Sequence, residues 1–573
     1  MLLSSYGWIV KRVVLPIIAA GLSFCLSLHT CAQDSKPQHY PDLVAAEELS
    51  RSGKLSEAIQ KYQQVLRSDP KVVAAQAGLV QAYLRDQQLD PAFDLAKSSL
   101  ILQPNSPLLL AAMGSVQYRL GEIPESQTSF LNAQKLDSNL LQPYLGLARL
   151  YRSALFYRRA YDEIRRAREI APQDPEVQRA WLGMLPRRER LKALESYLDS
   201  PHPDNAEENA ALHSWLEYLK ATNAQPVHAC RLANNVAKTE TQMQIFLRDT
   251  RRISGYGLQV RINDRNQRLL LDTGASGILI NRKAAEKAGL TKISAVQFGG
   301  IGDKGHRDAY LAVAENIRIG DLSFKDCVVT VSEKSLGMDE DGVIGADVFS
   351  SYLVDIDIPG DTMRLSPLPR RPDEIDAKLS LATEEDSESV PDEQGEAVKD
   401  NKETTSSPEA KNPSSLLQRS LPRDRYVAPE MAQWAKVYRL GHALLIPTRV
   451  NDSKSMLFVL DTGAFGNTIS TRAAREVTKV RSDQNMKVRG FSGEVEKVYS
   501  ADKATLQFGN IRQPNQDMVT FDLSGISRNL GVEVSGFLGF TTFRQLEMKI
   551  DYRDGLVQFV YDPDKLPAAL RPH

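Results

Sequence analysis

The spacing of apolar residues changes along this chain from a helical period to a strand period. Around residue 212, apolar side chains recur every three or four positions, which predicts a helix over residues 205–222. Beyond residue 250, apolar and polar residues alternate, so Gly257–Asn263 and Arg268–Leu271 are predicted to be two strands joined by a turn at residues 264–266. The pattern predicts a multidomain protein in which an α-helical part precedes a mostly-β part.

A 34-residue repeat underlies the helical part. Pro70, Pro104 and Pro172 are separated by 34 and 68 residues, and Ser138 occupies the intervening place. One position of this frame holds the small residues Ala58, Ala92, Ser126 and Ala160. Another holds the large residues Tyr62, Phe130 and Ile164. Small residues let two helices cross closely, and large ones fill the groove beside them. The register therefore favours stacked helical hairpins over an ordinary helical bundle.

This register resembles the tetratricopeptide-repeat family over residues 39–172, which accounts for four repeats. A partial fifth unit, Pro175–Leu198, is expected to cap the stack. We therefore expect an α-solenoid at residues 39–200, followed by a helical connector at residues 201–249. The resemblance implies a concave face that holds peptides or proteins, and hence docking of a protein partner or of the substrate.

The mostly-β part contains two segments of similar design. Leu269–Leu271 leads into the turn Asp272–Ala275, and Met456–Leu460 leads into Asp461–Ala464, at an offset of 189 residues. The same offset of 189 residues relates Tyr310 to Tyr499 and Gly320 to Gly509. Further along the chain the offset becomes 194 residues, between Phe349 and Phe543 and between Asp357 and Asp551. We call the segments half 1 (residues 250–367) and half 2 (residues 426–565).

An acidic stretch separates the two halves. Residues 371–420 contain 13 acidic and 6 basic residues and no aromatic residue. Such a composition cannot bury a core, so a disordered acidic linker is expected at residues 368–425.

The fourth repeat is basic. Its arginines are followed by more in the capping unit, and together they are Arg158, Arg159, Arg165, Arg166, Arg168, Arg187, Arg188 and Arg190. These arginines are consistent with two alternatives: they bind an acidic partner, such as the acidic linker of this chain, or they form an ordinary charged face in contact with solvent.

The two Asp-Thr-Gly-Ala turns resemble those of the retropepsin-like aspartic proteases. Val343–Gly345 and Phe537–Gly539 resemble the second landmark of that family, an apolar-apolar-Gly strand that braces the active loop. The stretches 298–303 and 489–493 resemble its glycine-rich flap. One Asp-Thr-Gly is weak evidence because it is a common turn sequence, but two in matched contexts are specific.

The resemblance implies an aspartic endopeptidase with Asp272 and Asp461 as its catalytic pair. Two adjacent carboxyl groups share one proton, so one activates water and the other donates to the scissile carbonyl oxygen. Two residues of each turn would support the pair: Thr273 and Thr462 by hydrogen bonds between the loops, and Gly274 and Gly463 by allowing close approach. This chemistry needs no metal and no cofactor, and the sequence has no His/Cys cluster with metal-ligand spacing.

The resemblance also implies flaps that close over the substrate. The glycines that would allow this motion are Gly299, Gly300, Gly302, Gly490 and Gly493. The alternative is a hairpin turn without a gating role.

The halves depart from the family immediately after the catalytic turns. Ser276 and Phe465 stand where retroviral enzymes commonly have Asp. Ala275 and Ala464 stand where pepsins usually have a hydroxyl that lowers the pKa of the pair. We expect the singly protonated pair to persist toward neutral pH, unless the hydroxyl of Ser276 substitutes as a donor.

The first 32 residues predict export. Lys11 and Arg12 precede the apolar run Val13–Leu28, and Thr30 and Ala32 are small residues suited to a cleavage site. The run is short for a bilayer span of about 20 residues, which favours a cleaved signal peptide over an uncleaved anchor. A lipid on Cys31 is disfavoured because Leu28–Thr30 resembles the usual lipoprotein box poorly. A periplasmic or secreted protein without a stable transmembrane span is expected.

Cleavage would leave Cys230 and Cys327 in the mature chain. An exported compartment permits a disulfide between them, although two buried free thiols are the commoner arrangement.

Three functional hypotheses follow. The leading one is an exported aspartic endopeptidase with a helical-repeat domain for partner or substrate docking. The alternative is a non-catalytic protein-binding scaffold with inactive protease-like halves. A third keeps the enzyme but pairs each half with its copy in another molecule. The net charge of −1 gives no support to nucleic-acid binding.

Overall fold

The computed structural model describes residues 41–200, 202, 205–223, 231–249, 252–372 and 422–565, without residues 235, 304, 306, 335, 337–339, 484 and 485. The predicted signal peptide, Cys230 and residues 373–421 of the predicted linker therefore lie outside the described residues. From Asp42 onward the described residues form one compact unit.

The N-terminal part consists of α-helices joined by short turns. Those in the described residues are α1 (Pro41–Arg51), α2 (Leu55–Ser68), α3 (Val73–Arg85), α4 (Leu89–Leu102), α5 (Pro107–Arg119), α6 (Ile123–Leu136), α7 (Leu141–Ser153), α8 (Tyr157–Ile170), α9 (Pro175–Leu182), α10 (Arg187–Asp199) and α11 (Ala206–Asn223). From α2 onward successive helices pack against each other, and α5 also packs on α3 and α7, as expected for a solenoid. The predicted α-solenoid is confirmed.

The 34-residue register is visible in the backbone. The turns inside the four helix pairs each hold a left-handed residue, Gly53 (φ +79°), Gln87 (+62°), Gly121 (+75°) or Leu155 (+61°). We call the row of these four turns the turn edge.

The large residues of the repeat frame sit against glycines on neighbouring helices. A Cβ on Gly114 would lie 2.8 Å from the ring of Phe130, and one on Gly146 would lie 2.3 Å from it. A side chain at either glycine would therefore separate the helices, so glycine at these two positions lets Phe130 of α6 pack closely against α5 and α7.

Half 1 is mostly β-structure. Its described elements are β1 (Arg231–Leu232), β2 (Thr239–Gln242), β3 (Gln244–Asp249), β4 (Arg252–Ile262), β5 (Arg265–Asp272), β6 (Ile278–Asn281), α12 (Arg282–Lys287), β7 (Thr291–Phe298), β8 (Arg307–Ile319), β9 (Leu322–Ser332), β10 (Gly342–Gly345), β11 (Tyr352–Asp357) and β12 (Thr362–Pro367). One sheet has the order β1-β9-β6-β10-β5-β4-β8-β7, with β3 paired to β4.

The predicted helical connector at residues 201–249 is wrong beyond α11. Strands β1, β2 and β3 occupy its second part and pair with β9, β12 and β4 of half 1. Met243 and Phe246 are buried there at 3% and 0% exposure. These strands belong to half 1 because their apolar side chains complete its core and their backbones complete its ladders.

Half 2 repeats the design. Its described elements are β13 (Ala435–Lys436), β14 (Tyr438–Leu440), β15 (Ala443–Val450), β16 (Ser455–Leu460), β17 (Thr468–Ser470), α13 (Thr471–Val477), β18 (Val480–Ser482), β19 (Arg489–Gly490), β20 (Gly493–Glu494), β21 (Val498–Ala501), β22 (Ala504–Phe508), β23 (Ile511–Asn515), β24 (Met518–Phe521), α14 (Ser524–Leu530), β25 (Gly536–Leu538), α15 (Phe540–Phe543), β26 (Leu546–Asp551) and β27 (Leu556–Tyr561). The main sheet has the order β18-β21-β24-β17-β25-β16-β15-β22-β23, with β14 on β15.

A six-stranded sheet joins the two halves. Its order is β13-β27-β26-β11-β12-β2, so that β11 of half 1 pairs with β26 of half 2, from Leu353 opposite Asp551 to Asp357 opposite Glu547. Arg364 spans the junction, donating to Asp355 of half 1 at 3.1 Å and to Glu547 of half 2 at 3.2 Å. The two halves are therefore assembled within one chain.

The repeats pack directly on half 2 through the turn edge. Tyr118 and Phe130 of the repeats share one buried apolar cluster with Leu457 and Val534 of half 2. A Cβ on Gly121 would lie 3.2 Å from the side chain of Leu457. This apolar contact makes the repeats and half 2 parts of one core.

Polar contacts reinforce the same interface. The backbone N–H of Glu533 donates to Arg119 O at 2.7 Å, and Lys454 Nζ donates to Glu122 Oε1 at 2.7 Å. At the fourth repeat, Arg425 N donates to Leu155 O at 2.8 Å.

The ends of the predicted linker are well packed. Asp554, fully buried, accepts from Arg371 Nη2 at 2.5 Å and from Tyr426 N at 2.8 Å, so one carboxylate holds both flanks. Arg159 of the basic repeat pairs with Asp424 at 3.2 Å. The predicted boundaries of 368 and 425 are therefore too wide, because these flanking residues contribute to the packed structure.

The structure decides the state of Cys327, which the sequence left open. Cys327 is fully buried in β9 and disulfide-bonded. Of the two states that the sequence left open, Cys327 therefore has the disulfide and not the free thiol.

Candidate active site

Each Asp-Thr-Gly turn is held between strands of its own half. β5 ends at Asp272 and runs parallel to β10, with Gly345 opposite Asp272, while β10 pairs antiparallel with β6 on its other side. In half 2, β25 runs parallel to β16 and antiparallel to β17. Strand β16 ends at Leu460, just before Asp461. The apolar-apolar-Gly strand thus clamps the two ends of each turn, as the sequence predicted.

The two turns are joined by four reciprocal hydrogen bonds. Thr273 N donates to Thr462 Oγ1 at 3.0 Å, and Thr462 N donates to Thr273 Oγ1 at 3.0 Å. Each hydroxyl also donates across the interface, from Thr273 to Leu460 O and from Thr462 to Leu271 O, both at 2.9 Å. All four groups are buried, so this lattice fixes the relative position of the two carboxyl groups.

The glycines of the turns allow the carboxyl groups to meet. A Cβ on Gly463 would lie 2.4 Å from Asp272 Oδ2, and a Cβ on Gly274 would lie 2.8 Å from Asp461 Cγ. Each carboxyl accepts a backbone N–H of its own turn, from Gly274 at 2.7 Å and from Ala464 at 2.8 Å. The two carboxyl groups also hydrogen-bond to each other.

Burial raises the pKa of both carboxyl groups above the ordinary value for Asp. For Asp272, burial is the largest cause, and hydrogen bonds from Gly274, Asp461 and Gly463 act in the opposite direction. For Asp461, burial is followed by the negative charge of Asp272, and its pKa is raised well above the ordinary value. The pair therefore retains one proton at a pH where an isolated Asp is ionised.

The tips of the two predicted flaps contact each other. Gly300 N donates to Ser492 Oγ at 3.1 Å, and Ser492 N donates to Ile301 O at 2.9 Å. Gly302 and Gly493 have φ values of +131° and +103°, which other residues rarely adopt. Gly299 is exposed at the end of β7. Gly490 is required for close approach, because a Cβ there would lie 2.4 Å from Ile301 O.

Apolar side chains at the flap tips pack against both halves. Phe491 of half 2 packs on a buried cluster of half 1 that includes Leu270 and Val343, and Ala275 of the first turn packs on the same cluster. Ile301 of half 1 packs on the cluster that includes Leu457 of half 2. Each flap is therefore held by the opposite half in this closed arrangement.

The two turns differ in what supports them. In half 1, Ser276 Oγ donates to Asp347 Oδ2 at 3.0 Å, and Gly277 N donates to the same carboxylate. In half 2, Asn467 Oδ1 accepts from Gly539 N at 2.9 Å and from Thr542 Oγ1 at 2.7 Å.

Asp347, Asn467 and Ser492 are not among the residues that the sequence predicts for the site. Asp347 stands two residues beyond the apolar-apolar-Gly strand, and that fixed spacing was the available signal for it. Ser492 lies within the predicted flap stretch 489–493, but nothing in the sequence marked its hydroxyl as a contact to the other flap. Nothing in the sequence pointed to Asn467, because it acts through contacts with distant segments.

Comparison with known families agrees with this geometry. A model of the aspartyl protease family matches residues 258–348 and 446–542, and a model of the tetratricopeptide repeat matches residues 49–116. The chain carries two aspartyl protease segments and a tetratricopeptide-repeat region. The protease segments contain both Asp-Thr-Gly turns, both flaps and both bracing strands.

Among curated proteins, the chain is similar to the UBA domain-containing protein Mud1 of Schizosaccharomyces pombe. The two are 29% identical over 110 residues, which is 19% of this chain and 32% of Mud1. The match thus spans about a third of that relative's length.

The solved structures similar to the chain include two tetratricopeptide-repeat proteins. A thermophilic one from Thermus thermophilus is 15% identical, with 31% of this chain and 97% of that chain covered and a TM-score of 0.27. Another, from Parabacteroides merdae, is 14% identical, with 32% and 72% covered and a TM-score of 0.22.

Neither a metal site nor a membrane span is found in the part of the chain that the structure describes. No three or more His, Cys, Asp or Glu side chains are grouped there so as to hold a metal ion. No helix in that part combines the length and hydropathy needed to cross a bilayer.

Proposed function

We propose that this protein is an aspartic endopeptidase that hydrolyses peptide bonds with Asp272, Asp461 and a bound water. The observation that carries this proposal is the buried, hydrogen-bonded contact between the two carboxyl groups. Holding two carboxyls together in a buried site is costly unless they share a proton, and a shared proton is what general acid–base hydrolysis requires.

The reaction follows from that shared proton. The ionised carboxyl takes a proton from water as the water oxygen attacks the scissile carbonyl carbon. The protonated carboxyl gives its proton to the carbonyl oxygen, which yields a neutral diol. As the diol collapses, the C–N bond breaks, the proton already on the pair moves to the leaving amine, and one hydroxyl proton of the diol replaces it on the pair. The pair ends with one proton, as it began, and no covalent intermediate forms.

The closed flaps have a place in this cycle. Asp272 and Asp461 are only 7% and 9% exposed. A substrate therefore requires the Ile301 and Phe491 tips to separate and then to close over it, which excludes bulk water from the reacting atoms.

The test is cleavage of a peptide mixture by the chain from residue 33 onward, with products identified by mass spectrometry. We expect cleavage by the wild type and a loss of about 100-fold or more in Asp272→Asn and in Asp461→Asn, because either change removes a partner of the shared proton. The double variant should be no worse than either single one.

Asp551→Asn is the matched control, since Asp551 is a buried carboxyl outside the site, at 1% exposure. It should retain activity. A folded wild type that cleaves none of the peptides would reject the proposal and favour the non-catalytic scaffold. Full activity in either single dyad variant would place the chemistry elsewhere.

We further propose that the protein is exported and that the repeats dock a protein partner or the substrate. The signal-like pattern of residues 1–32 supports export, and the tetratricopeptide repeats, which generally bind proteins, support docking. Half 2 covers the turn edge of the third and fourth repeats, so docking uses other surfaces of the solenoid. Cell fractionation with and without residues 1–32 tests the location.

A further inference from the structure

The two sides of the active site present different side chains at equivalent positions. Ser276 and Phe465 are each four residues beyond a dyad aspartate. The Ser276 hydroxyl is engaged by Asp347. Phe465 is 49% exposed, and no other phenylalanine in the described part of the chain is as exposed.

The backbone of Phe465 is fixed although its ring is exposed. Phe465 O accepts from Thr541 N at 3.1 Å, and the preceding Ala464 O accepts from Phe540 N at 2.7 Å. The exposure is therefore not that of a loose loop. A large apolar ring on a segment fixed beside the second catalytic turn is available for contact with a bound peptide without rearrangement of the backbone.

Phe465 is close to the reacting atoms. Ala464 N donates to Asp461 Oδ1 at 2.8 Å. One further peptide unit separates that nitrogen from Phe465 Cα, which places Phe465 Cα within about 8 Å of the carboxyl. An extended peptide advances about 3.3 Å per residue, so residues two or three positions from the scissile bond lie at this distance.

We infer that Phe465 forms an apolar subsite on one side of the scissile bond only, so that the preferred substrates carry a large apolar side chain there and not at the mirrored position. This inference rests on the proposed endopeptidase function. The pseudo-symmetric position on the other side is the polar pair Ser276–Asp347, which offers no apolar contact. The site therefore distinguishes the two directions along a peptide, although its catalytic pair is nearly symmetric.

The experiment profiles cleavage of a peptide library by the wild type, Phe465→Ser and Ser276→Phe. The wild type should favour Phe, Leu or Ile at one position two or three residues from the cut. Phe465→Ser should lower kcat/KM for such peptides about 10-fold and leave peptides with a small residue there nearly unchanged. Ser276→Phe should create the same preference at the mirrored position.

Ser276→Ala is the matched control, because it removes the bond to Asp347 without adding a ring. It should create no new preference. Thermal unfolding of all variants checks that the exposed substitutions leave the fold intact. An unchanged profile in Phe465→Ser, or an apolar preference of equal strength on both sides in the wild type, would overturn the inference.

A binding measurement separates this inference from the proposed function. In the Asp272→Asn background, fluorescent peptides that differ by Phe or Ser at the preferred position should differ about 10-fold in Kd, and Phe465→Ser should abolish the difference. Selective binding without wild-type cleavage would reject the endopeptidase and retain the subsite. Cleavage without selective binding would reject the subsite alone.

Discussion

Thr273 and Thr462 each accept the other's backbone N–H at 3.0 Å, so the two halves are tied together by one residue from each. Thr→Val keeps the shape of the side chain but removes the hydroxyl. In either position it leaves a buried N–H and a buried carbonyl without partners, which should cost about 3 kcal/mol of stability. Urea unfolding measures this loss, and kcat/KM should fall with it because the carboxyl groups lose their alignment.

Thr→Ser is the control for each position, since it retains the hydroxyl. It should keep most of the stability and activity. The effects of the two Val variants should not add, because they disrupt the same lattice. Additive losses, or a Ser variant as damaged as Val, would show that packing of the methyl group is the important contribution.

The sequence predicted this lattice, but not the interface beside it. Two matched Asp-Thr-Gly turns constrain the chemistry and the local geometry together, so the dyad could be located from the sequence alone. Tyr118 and Leu457 carried no such signal, since a side chain buried between domains has the same apolar character as one buried within a domain. Strands β1–β3 were missed because their short segments acquire β-structure from pairing with β9, β12 and β4.

The repeats and half 2 should unfold together. Arg119 is largely buried at their interface, where its guanidinium donates to Gln87 Oε1 at 2.6 Å and to Ser527 O at 3.4 Å. Glu533, also mostly buried, interacts with the Arg119 charge. Arg119→Met should destabilise both parts by about 3 kcal/mol, because it leaves two buried acceptors without their donor and leaves the Glu533 carboxyl with Arg472 as the remaining compensating arginine.

Helix content by circular dichroism reports mainly on the repeats, and fluorescence of Trp434 reports on half 2 when the other tryptophans are replaced. The two signals should share one unfolding midpoint in the wild type and in Arg119→Met. Adding Glu533→Gln should recover part of the loss, since it removes a buried carboxyl that has lost one of its two compensating arginines. Separate midpoints in the wild type would show that the shared cluster does not couple the two parts.

Replacement by asparagine of two neighbouring aspartates in half 2, Asp551 and Asp554, should change the stability at pH 7 in opposite directions. Burial, with the charge of Asp554 second, raises the pKa of Asp551 to about 6. Between its unfolded value of 3.8 and about 6, the folded state binds a proton that the unfolded state releases, so stability falls as pH rises through this window. A pKa difference of about two corresponds to a loss of about 3 kcal/mol, which is complete above about pH 6.

Asp551→Asn should therefore raise the unfolding midpoint at pH 7 and have little effect below pH 4. Its amide oxygen can still accept from Asp554 N, as Asp551 Oδ1 does at 2.9 Å. Asp554→Asn should lower the midpoint at pH 7, because Arg371, itself buried, loses its carboxylate partner. Denaturant melts of both variants across pH 4 to 7 make the comparison. A fall in stability for Asp551→Asn at pH 7 would contradict the raised pKa.

The pH dependence of catalysis should reflect the absence of a hydroxyl beside each dyad carboxyl. Ala275 and Ala464 supply none, and the hydroxyl of Ser276 donates to Asp347 instead. Burial raises the pKa of both dyad carboxyls, so the pair should gain its second, inactivating proton at a higher pH than in pepsin-like enzymes. We expect kcat/KM to be highest from mildly acidic toward neutral pH and to fall on the acid side.

In Ala275→Ser and Ala464→Ser, a new donor would stabilise the ionised form, lower that pKa and move the acid limb to lower pH. Substitution of Ala by Gly at either position is the control and should leave the limb in place. A strongly acidic optimum that neither Ser variant moves would show that groups other than these two positions set the protonation of the pair.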